Sequence, residues 1–255
     1  THEIAAKFGS PYFDNMIPEY RGYGKGVSCY QCCSYNFVET SETDDEFKEK
    51  MQFSDGAHFS MGSWQVVTLN LPRAAYRARG DDERLFEELR GLMDLSIEVF
   101  GTKRRWMDLM LKNERMPFAT QRPMDPSGGK RGPPAVDFEE LVYTIGLVGT
   151  NEMAQYHTGS QLHESDESVK FAVRALLEMK KHLGVLLERT GMKLALARTP
   201  AESCAQRLAV CDLLSDELRE KARATVKGDL DAARAMLGRG ERDVPVYYSN
   251  GTHVY

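Results

Sequence analysis

The chain has 255 residues, 42% of them apolar and 28% charged, which is enough to bury a sizeable core and too balanced for a disordered chain or a disulfide-knit toxin. Its 38 acids and 33 bases leave a formal charge of -5 with no long run of either sign, which argues against a nucleic-acid coat or a polybasic membrane anchor. No stretch approaches the roughly twenty consecutive apolar residues of a membrane span, and THEIAAKFGS lacks a basic flank followed by an apolar run, so the expectation is a cytoplasmic protein without membrane or nucleic-acid partners.

In chain order, glycine- and aromatic-rich text, FGSPYFDNMIPEYRGYGKG, leads into SCYQCCSYNF, which reads as irregular structure entering a strand or tight turn around the cysteines. Five cysteines, with Cys32 and Cys33 adjacent and Cys29 three before, suit reduced thiols better than a complete disulfide framework. An acidic insert from Glu39 to Phe53 reads as a solvated loop or short helix. The sharpest strand signal follows, Trp64 to Leu71 (WQVVTLNL), closed by Pro72. From Asp81 to Asn113, Leu85, Leu89, Leu92, Met93, Ile97 and Phe100 recur at spacings of three and four, and Gly101 divides the run into two predicted helices. RPMDPSGGKRGPP, between Gln121 and Pro134, is a loop.

Apolar text resumes over Phe138 to Ala154, and a long amphipathic helix is expected from Ser165 to Arg189, stopped by Gly191. Met192 to Ala197 reads as a short strand. Thr199-Pro200-Ala201-Glu202 carries a helix-start signature: Thr as N-cap, Pro first, and a Glu able to reach back to the cap. A further helix is expected from Ser215 to Leu237, then strand-like VPVYYS and NGTHVY. Alternating strands and helices favour an α/β fold with strands enclosed by helices, without internal repeats.

Several separated stretches together resemble the anaerobic, class III, ribonucleoside-triphosphate reductases, which are glycyl-radical enzymes: FGSPYF (Phe8 to Phe13), QCC (Gln31 to Cys33), GSWQVVTLNLPR (Gly62 to Arg73), MPFATQRP (Met116 to Pro123), TIGLVGTNE (Thr144 to Glu152), TPAES with Arg207 following, and YYSNGTH (Tyr247 to His253). The resemblance implies part of a ten-stranded α/β barrel with a cysteine-bearing finger loop at its centre. It also implies that residues 1–255 are one internal segment of the catalytic barrel domain. The family's amino-terminal nucleotide-binding region, and its carboxy-terminal region with four zinc-binding cysteines and the radical-bearing glycine, have no counterpart in this text. Such a segment is expected to be inactive and poorly soluble alone.

The implied activity is reduction of ribonucleoside triphosphates to deoxyribonucleoside triphosphates for DNA synthesis. A thiyl radical removes the ribose 3' hydrogen so that the 2' hydroxyl can leave. The implied cofactors and effectors are the glycyl radical, zinc on the absent region, ATP or deoxynucleotides at allosteric sites, and formate or a redoxin as reductant. The implied partners are a radical S-adenosylmethionine activase, a thioredoxin- or glutaredoxin-like reductant, and a second copy in a homodimer. A pyruvate formate-lyase-type enzyme and an inactive nucleotide- or partner-binding fragment are the alternatives.

By resemblance Cys33 is the thiyl site. Cys32 faces the other way in extended geometry and reads as a small buried hydrophobe. Cys29-x-x-Cys32 could be half of a zinc or redox motif, but Cys204 and Cys211 are seven apart and no second pair matches, so no metal is assigned. Glu202 has two readings, a capping glutamate and an acid or base beside the ribose. The N–H groups of Glu202, Ser203 and Cys204 at a helix start would suit a phosphate. Ser63 lies where some relatives carry an asparagine associated with formate use, a departure that favours a redoxin. Tyr248, Ser249 and Asn250 are expected to line the substrate cavity, against the alternative of an ordinary Asn-Gly turn. Asn70 and Arg73 read as a turn former and a surface ion-pair partner, Asn151 and Glu152 as a buried helix start, and His157, His163 and His182 as surface or helix residues.

Overall fold

The computed structural model describes Glu3, residues 28–31 and 35–38, and residues 62–250 apart from 122–135, 137, 140 and 200. The acidic insert, the Gln121 to Pro134 loop text, Cys32 and Cys33, and the text after Asn250 lie outside the described residues. Two short strands, β1 (Ser28–Gln31) and β2 (Tyr35–Val38), pair antiparallel on either side of the vicinal cysteines in the sequence, with Cys29 opposite Phe37.

A second sheet has the order β3 (Ser63–Asn70), β4 (Val142–Val148), β5 (Leu194–Arg198). The starts of β3 and β4 are adjacent, where Val142 N–H donates to the Gly62 carbonyl at 2.9 Å and the Ser63 and Thr144 hydroxyls lie 3.0 Å apart. Toward their far ends, Gly146 of β4 lies between Thr68 of β3 and Thr199 just beyond β5; a Cβ there would fall 2.9 Å from Thr68 Oγ1 and 2.7 Å from Thr199 Cγ2. Start beside start and end beside end makes the sheet parallel, and its connections are the helical crossovers that parallel strands require. A third, two-stranded sheet pairs β6 (Lys227–Gly228) antiparallel with β7 (Val246–Tyr247).

The helices are α1 (Leu71–Ala78), α2 (Asp82–Lys112), α3 (Pro117–Thr120), α4 (Thr150–Thr158), α5 (Asp166–Thr190), α6 (Glu202–Leu214), α7 (Arg219–Arg223) and α8 (Leu230–Gly238). α2 is one unbroken helix, not two. Each of its two interior glycines, Gly91 and Gly101, weakens the helix by about 1 kcal/mol, together less than is gained by burying Leu85, Leu89, Met93 and Phe100 along one face. α5 matches expectation, with Ser165 Oγ accepting from Glu167 N–H and Gly191 closing it at φ +65. The single helix expected over Ser215 to Leu237 is instead α7, β6 and α8. Gly228 adopts φ +102 against Pro245, and the Asp229 side chain accepts from Ala232 N–H to start a new helix.

The expected cap at Thr199 is also corrected. α6 starts at Glu202 with Ala201 as N-cap, and the buried Thr199 hydroxyl makes no hydrogen bond. Its side chain turns onto the space left by Gly146 in the sheet instead of toward the helix.

The chain packs as two compact units: residues 1–12, 67–96 and 145–255, and residues 13–66 and 97–144. In the first, Tyr76, Val148, Ala205, Ala209, Val210, Leu213, Ala222, Val246 and Tyr248 belong to one buried apolar cluster. α1 packs on α4, α4 on α5, and α6 on β7. On α5, Val169, Val173, Leu177 and Val185 stay exposed on one face, at spacings of four, four and eight residues with Lys181 between the last two. In the second, Trp64 stacks on Tyr143 at 4.9 Å, and Phe100 packs on the same ring at 5.3 Å. No described helix is long and apolar enough to cross a membrane.

Candidate functional site

In the first unit, three strand-to-helix turns follow the carboxyl ends of β3, β4 and β5: Asn70 into α1, Gly149 into α4, and Thr199 to Ala201 into α6. In open parallel sheets this edge is where ligands bind, because helix N-termini present backbone N–H groups there. α6 brings Glu202 and Ser203 to it exposed and Cys204 half-buried. The helical ladder opens with the bond from Ala205 N–H to the Ala201 carbonyl at 2.7 Å, so the N–H groups of residues 202–204 lie ahead of it. Burial pushes the Cys204 thiol up, while Arg207 pulls it down. Cys204 and Cys211 are both free and share α6.

The segment after β7 crosses this edge. Tyr248 N–H donates to the Ala205 carbonyl at 3.4 Å, and Gly149 N–H donates to the Ser249 carbonyl at 2.7 Å. All three of Tyr248, Ser249 and Asn250 are buried. The Tyr248 hydroxyl donates to Asp212 Oδ2 at 2.8 Å and lies 3.2 Å from the Tyr76 hydroxyl, which is in turn bonded to Thr225. Burial pushes both phenols well above their ordinary range. Ser249 donates both its N–H (3.1 Å) and its hydroxyl (2.7 Å) to Glu152 Oε2. Asn250 Nδ2 reaches the Tyr248 carbonyl at 3.4 Å.

Two buried acids therefore anchor the segment. Asp212, fully buried on α6, also accepts from Asn70 Nδ2 at 2.8 Å and from Arg73 Nε at 2.7 Å, with Arg73 Nη2 2.5 Å away. Asn70 does form the expected turn, its Oδ1 accepting from Arg73 N–H, but it also reaches into this network. Arg73 is not a surface ion pair, since its side chain is 32% exposed and its partner not at all. Asn151 and Glu152 are buried at a helix start, as expected, and burial pushes the Glu152 carboxyl up against the opposing pull of Ser249 and Lys227. The sequence reading missed Asp212. The available signal was an acid on the same helical face as Ala205, Ala209 and Leu213, a face that is otherwise apolar.

Other sequence candidates are placed elsewhere. Ser63, half-buried in the second unit, faces Thr144. Cys32 and Cys33 are not described. His157 is a helix residue, on α4, and not a surface one: its side chain is 6% exposed, stacked on Phe171 at 4.3 Å and bonded to Asp82 at 2.7 Å. A 530 Å³ cleft between α6, α7 and α8, lined by Leu213, Arg219, Arg223, Leu230, Arg234 and Leu237 among others, includes none of the candidate residues. Among the described residues no three His, Cys, Asp or Glu side chains form a group that could hold a metal ion.

A family model described as anaerobic ribonucleoside-triphosphate reductase matches residues 1–255. No curated protein sequence matches. Among solved structures, one titled anaerobic ribonucleotide reductase superposes with a TM-score of 0.53 at 22% identity, covering 64% of this chain and 24% of that one. The Thermotoga maritima anaerobic ribonucleotide reductase gives 0.51 at 22% identity in its complex with dATP and CTP, covering 64% and 26%. The same enzyme with MES in the active site gives 0.52 at 22%, covering 70% and 30%. The chain thus spans about a quarter to a third of the length of these structures and shares their mixed α/β fold with a parallel sheet.

Proposed function

Because the chain belongs to the anaerobic ribonucleoside-triphosphate reductase family, we propose that residues 1–255 form part of the catalytic α/β barrel of such a reductase, which converts ribonucleoside triphosphates to deoxyribonucleoside triphosphates. The observation that carries this reading is the carboxyl edge of the parallel sheet. There α6 presents an exposed Glu202 and three leading N–H groups beside the anchored Tyr248 to Asn250 segment.

In this reading the helix start at Glu202, Ser203 and Cys204 receives the phosphates, because backbone N–H groups and the positive end of the helix dipole favour an anion. The Glu202 carboxylate manages the proton of the ribose 3' hydroxyl. A thiyl radical at Cys33, on a finger loop at the centre of a ten-stranded barrel, removes the 3' hydrogen; transfer in both directions suits a sulfur–hydrogen bond close in strength to the activated carbon–hydrogen bond. Cys32 is structural. The glycyl radical supplies the one-electron oxidising equivalent for the thiol and belongs, with the zinc cysteines, to sequence outside this chain. Ser63, where formate-using relatives carry asparagine, favours a thioredoxin- or glutaredoxin-like reductant. A radical S-adenosylmethionine activase, nucleotide effectors and a second copy complete the assembly. dATP and CTP are the nucleotides named in one matched structure.

The test is anaerobic reduction of labelled CTP by the complete polypeptide containing this segment, charged with its glycyl radical. Wild type should form dCTP. Cys33→Ser should form none while keeping its glycyl-radical signal, and Glu202→Gln should lose about 10²- to 10⁴-fold in rate. Undiminished turnover by Cys33→Ser would remove the thiyl from that residue, and no reduction by radical-loaded wild type would overturn the reading.

A further inference from the structure

Ser249 is expected from the sequence to grip the nucleotide, yet every polar group it owns is already used. Its carbonyl accepts from Gly149 N–H at 2.7 Å, and its N–H and hydroxyl both donate to Glu152 Oε2, at 3.1 and 2.7 Å. Gly149 and Glu152 are the cap and third residue of α4, so one helix start holds one residue by three bonds. The geometry of the cap is specific. Gly149 stands at φ +80, and a Cβ there would fall 2.3 Å from Pro72 Cγ, so only glycine brings this N–H to Ser249.

Glu152 is fully buried and its second oxygen, Oε1, has no hydrogen-bond partner. A carboxyl placed this way is expensive unless its bonds do something for the fold or the site. On the far side of the segment, Tyr248 is held independently by Asp212.

We propose that Glu152 is a positioning residue: through its paired bonds to Ser249 it sets where the Tyr248 to Asn250 segment lies across the start of α6, and thereby the nucleotide contacts of that edge, without touching the nucleotide. This rests on the reductase reading for its functional consequence. Ser249 is accordingly an anchor and not a phosphate or ribose donor.

The amide oxygen of Glu152→Gln can accept the same two bonds, so the conservative variant is the informative one. In the complete polypeptide, hydrogen exchange of the peptide spanning residues 246–250 is compared among wild type, Glu152→Gln, Glu152→Ala and Ser249→Ala, beside the KM and kcat for CTP. Glu152→Ala should speed exchange about tenfold, as loss of a buried bond implies, and raise KM roughly ten- to hundredfold with a smaller change in kcat. Glu152→Gln should stay near wild type in both. If Glu152→Ala does not fold, Ser249→Ala carries the same comparison with one bond removed. Unchanged exchange in the alanine variants, faster exchange with unchanged KM, or a glutamine variant as impaired as alanine would each overturn the proposal. Failure of wild type to reduce CTP would instead strike the reductase reading, and the exchange comparison would still decide whether Glu152 holds the segment.

Discussion

Replacing Asp212 with alanine removes the acceptor on which three elements converge. The buried Asn70 Nδ2 loses this partner, the buried Tyr248 hydroxyl keeps only its 3.2 Å contact with the Tyr76 hydroxyl, and Arg73 loses two contacts at 2.7 and 2.5 Å. A buried donor left unsatisfied costs about 1–3 kcal/mol, and breaking a buried ion pair from one side about 3–5 kcal/mol. Arg73 is 32% exposed and can turn toward water, so its share falls at the low end. The expected loss is about 3–5 kcal/mol, which at the roughly 2–4 °C per kcal/mol of a 150–250-residue domain lowers the Tm of the transition that unfolds this segment by about 6–20 °C. The assay is thermal and urea unfolding of the complete polypeptide as wild type, Asp212→Ala, Arg73→Met and the double variant. The two single losses should add to more than the double loss, with a coupling of about 2 kcal/mol. A Tm for Asp212→Ala within about 2 °C of wild type, or strict additivity in the cycle, would refute the argument that this acid organises the edge of the sheet.

Gly228→Ala should destabilise by about 3 kcal/mol or more, because φ +102 is unfavourable for any other residue and the new Cβ would fall 2.0 Å from the Pro245 carbonyl oxygen; a melt of the variant checks it. Tyr248→Phe keeps the ring and removes the bonds to Asp212 and Tyr76, for an expected loss of about 1–2 kcal/mol, well below that of Asp212→Ala; equal losses would mean the acid acts only through this phenol. Burial raises the Glu152 carboxyl above 4.5, so its folded-state advantage is full below that value and is lost as pH rises through the raised one. Wild type should therefore lose Tm relative to Glu152→Gln as pH rises from about 4.5, and a difference constant with pH would contradict this. Burial lowers His157, so its contribution is present above 6.5 and lost as pH falls through the lower folded value, a dependence that His157→Gln should remove from the melting curves.

Local text determined most of the elements. The β-branched run at Trp64 to Leu71 is β3 within one residue, Ser165 and Gly191 bound α5 as capping rules require, and the acid at Glu152 lies at a buried helix start. These follow from backbone sterics and from apolar periodicity, which act over a few residues. The family was legible as well, since its motifs recur in order along the chain and the family model spans residues 1–255.

What only the tertiary structure decided is how polar groups distant in the chain find one another. Gly101 does not break α2, because the buried face of a 31-residue helix outweighs the local preference of one glycine. Thr199 does not cap α6, because the space beside Gly146 claims its side chain. Asn70, Arg73, Asp212 and Tyr248 meet across separations of up to 142 residues, and Ser249 meets Glu152 across 97. Spacing rules are blind to such pairings: a buried acid is stable only where donors from other elements surround it, and their positions are set by the packing of the whole unit.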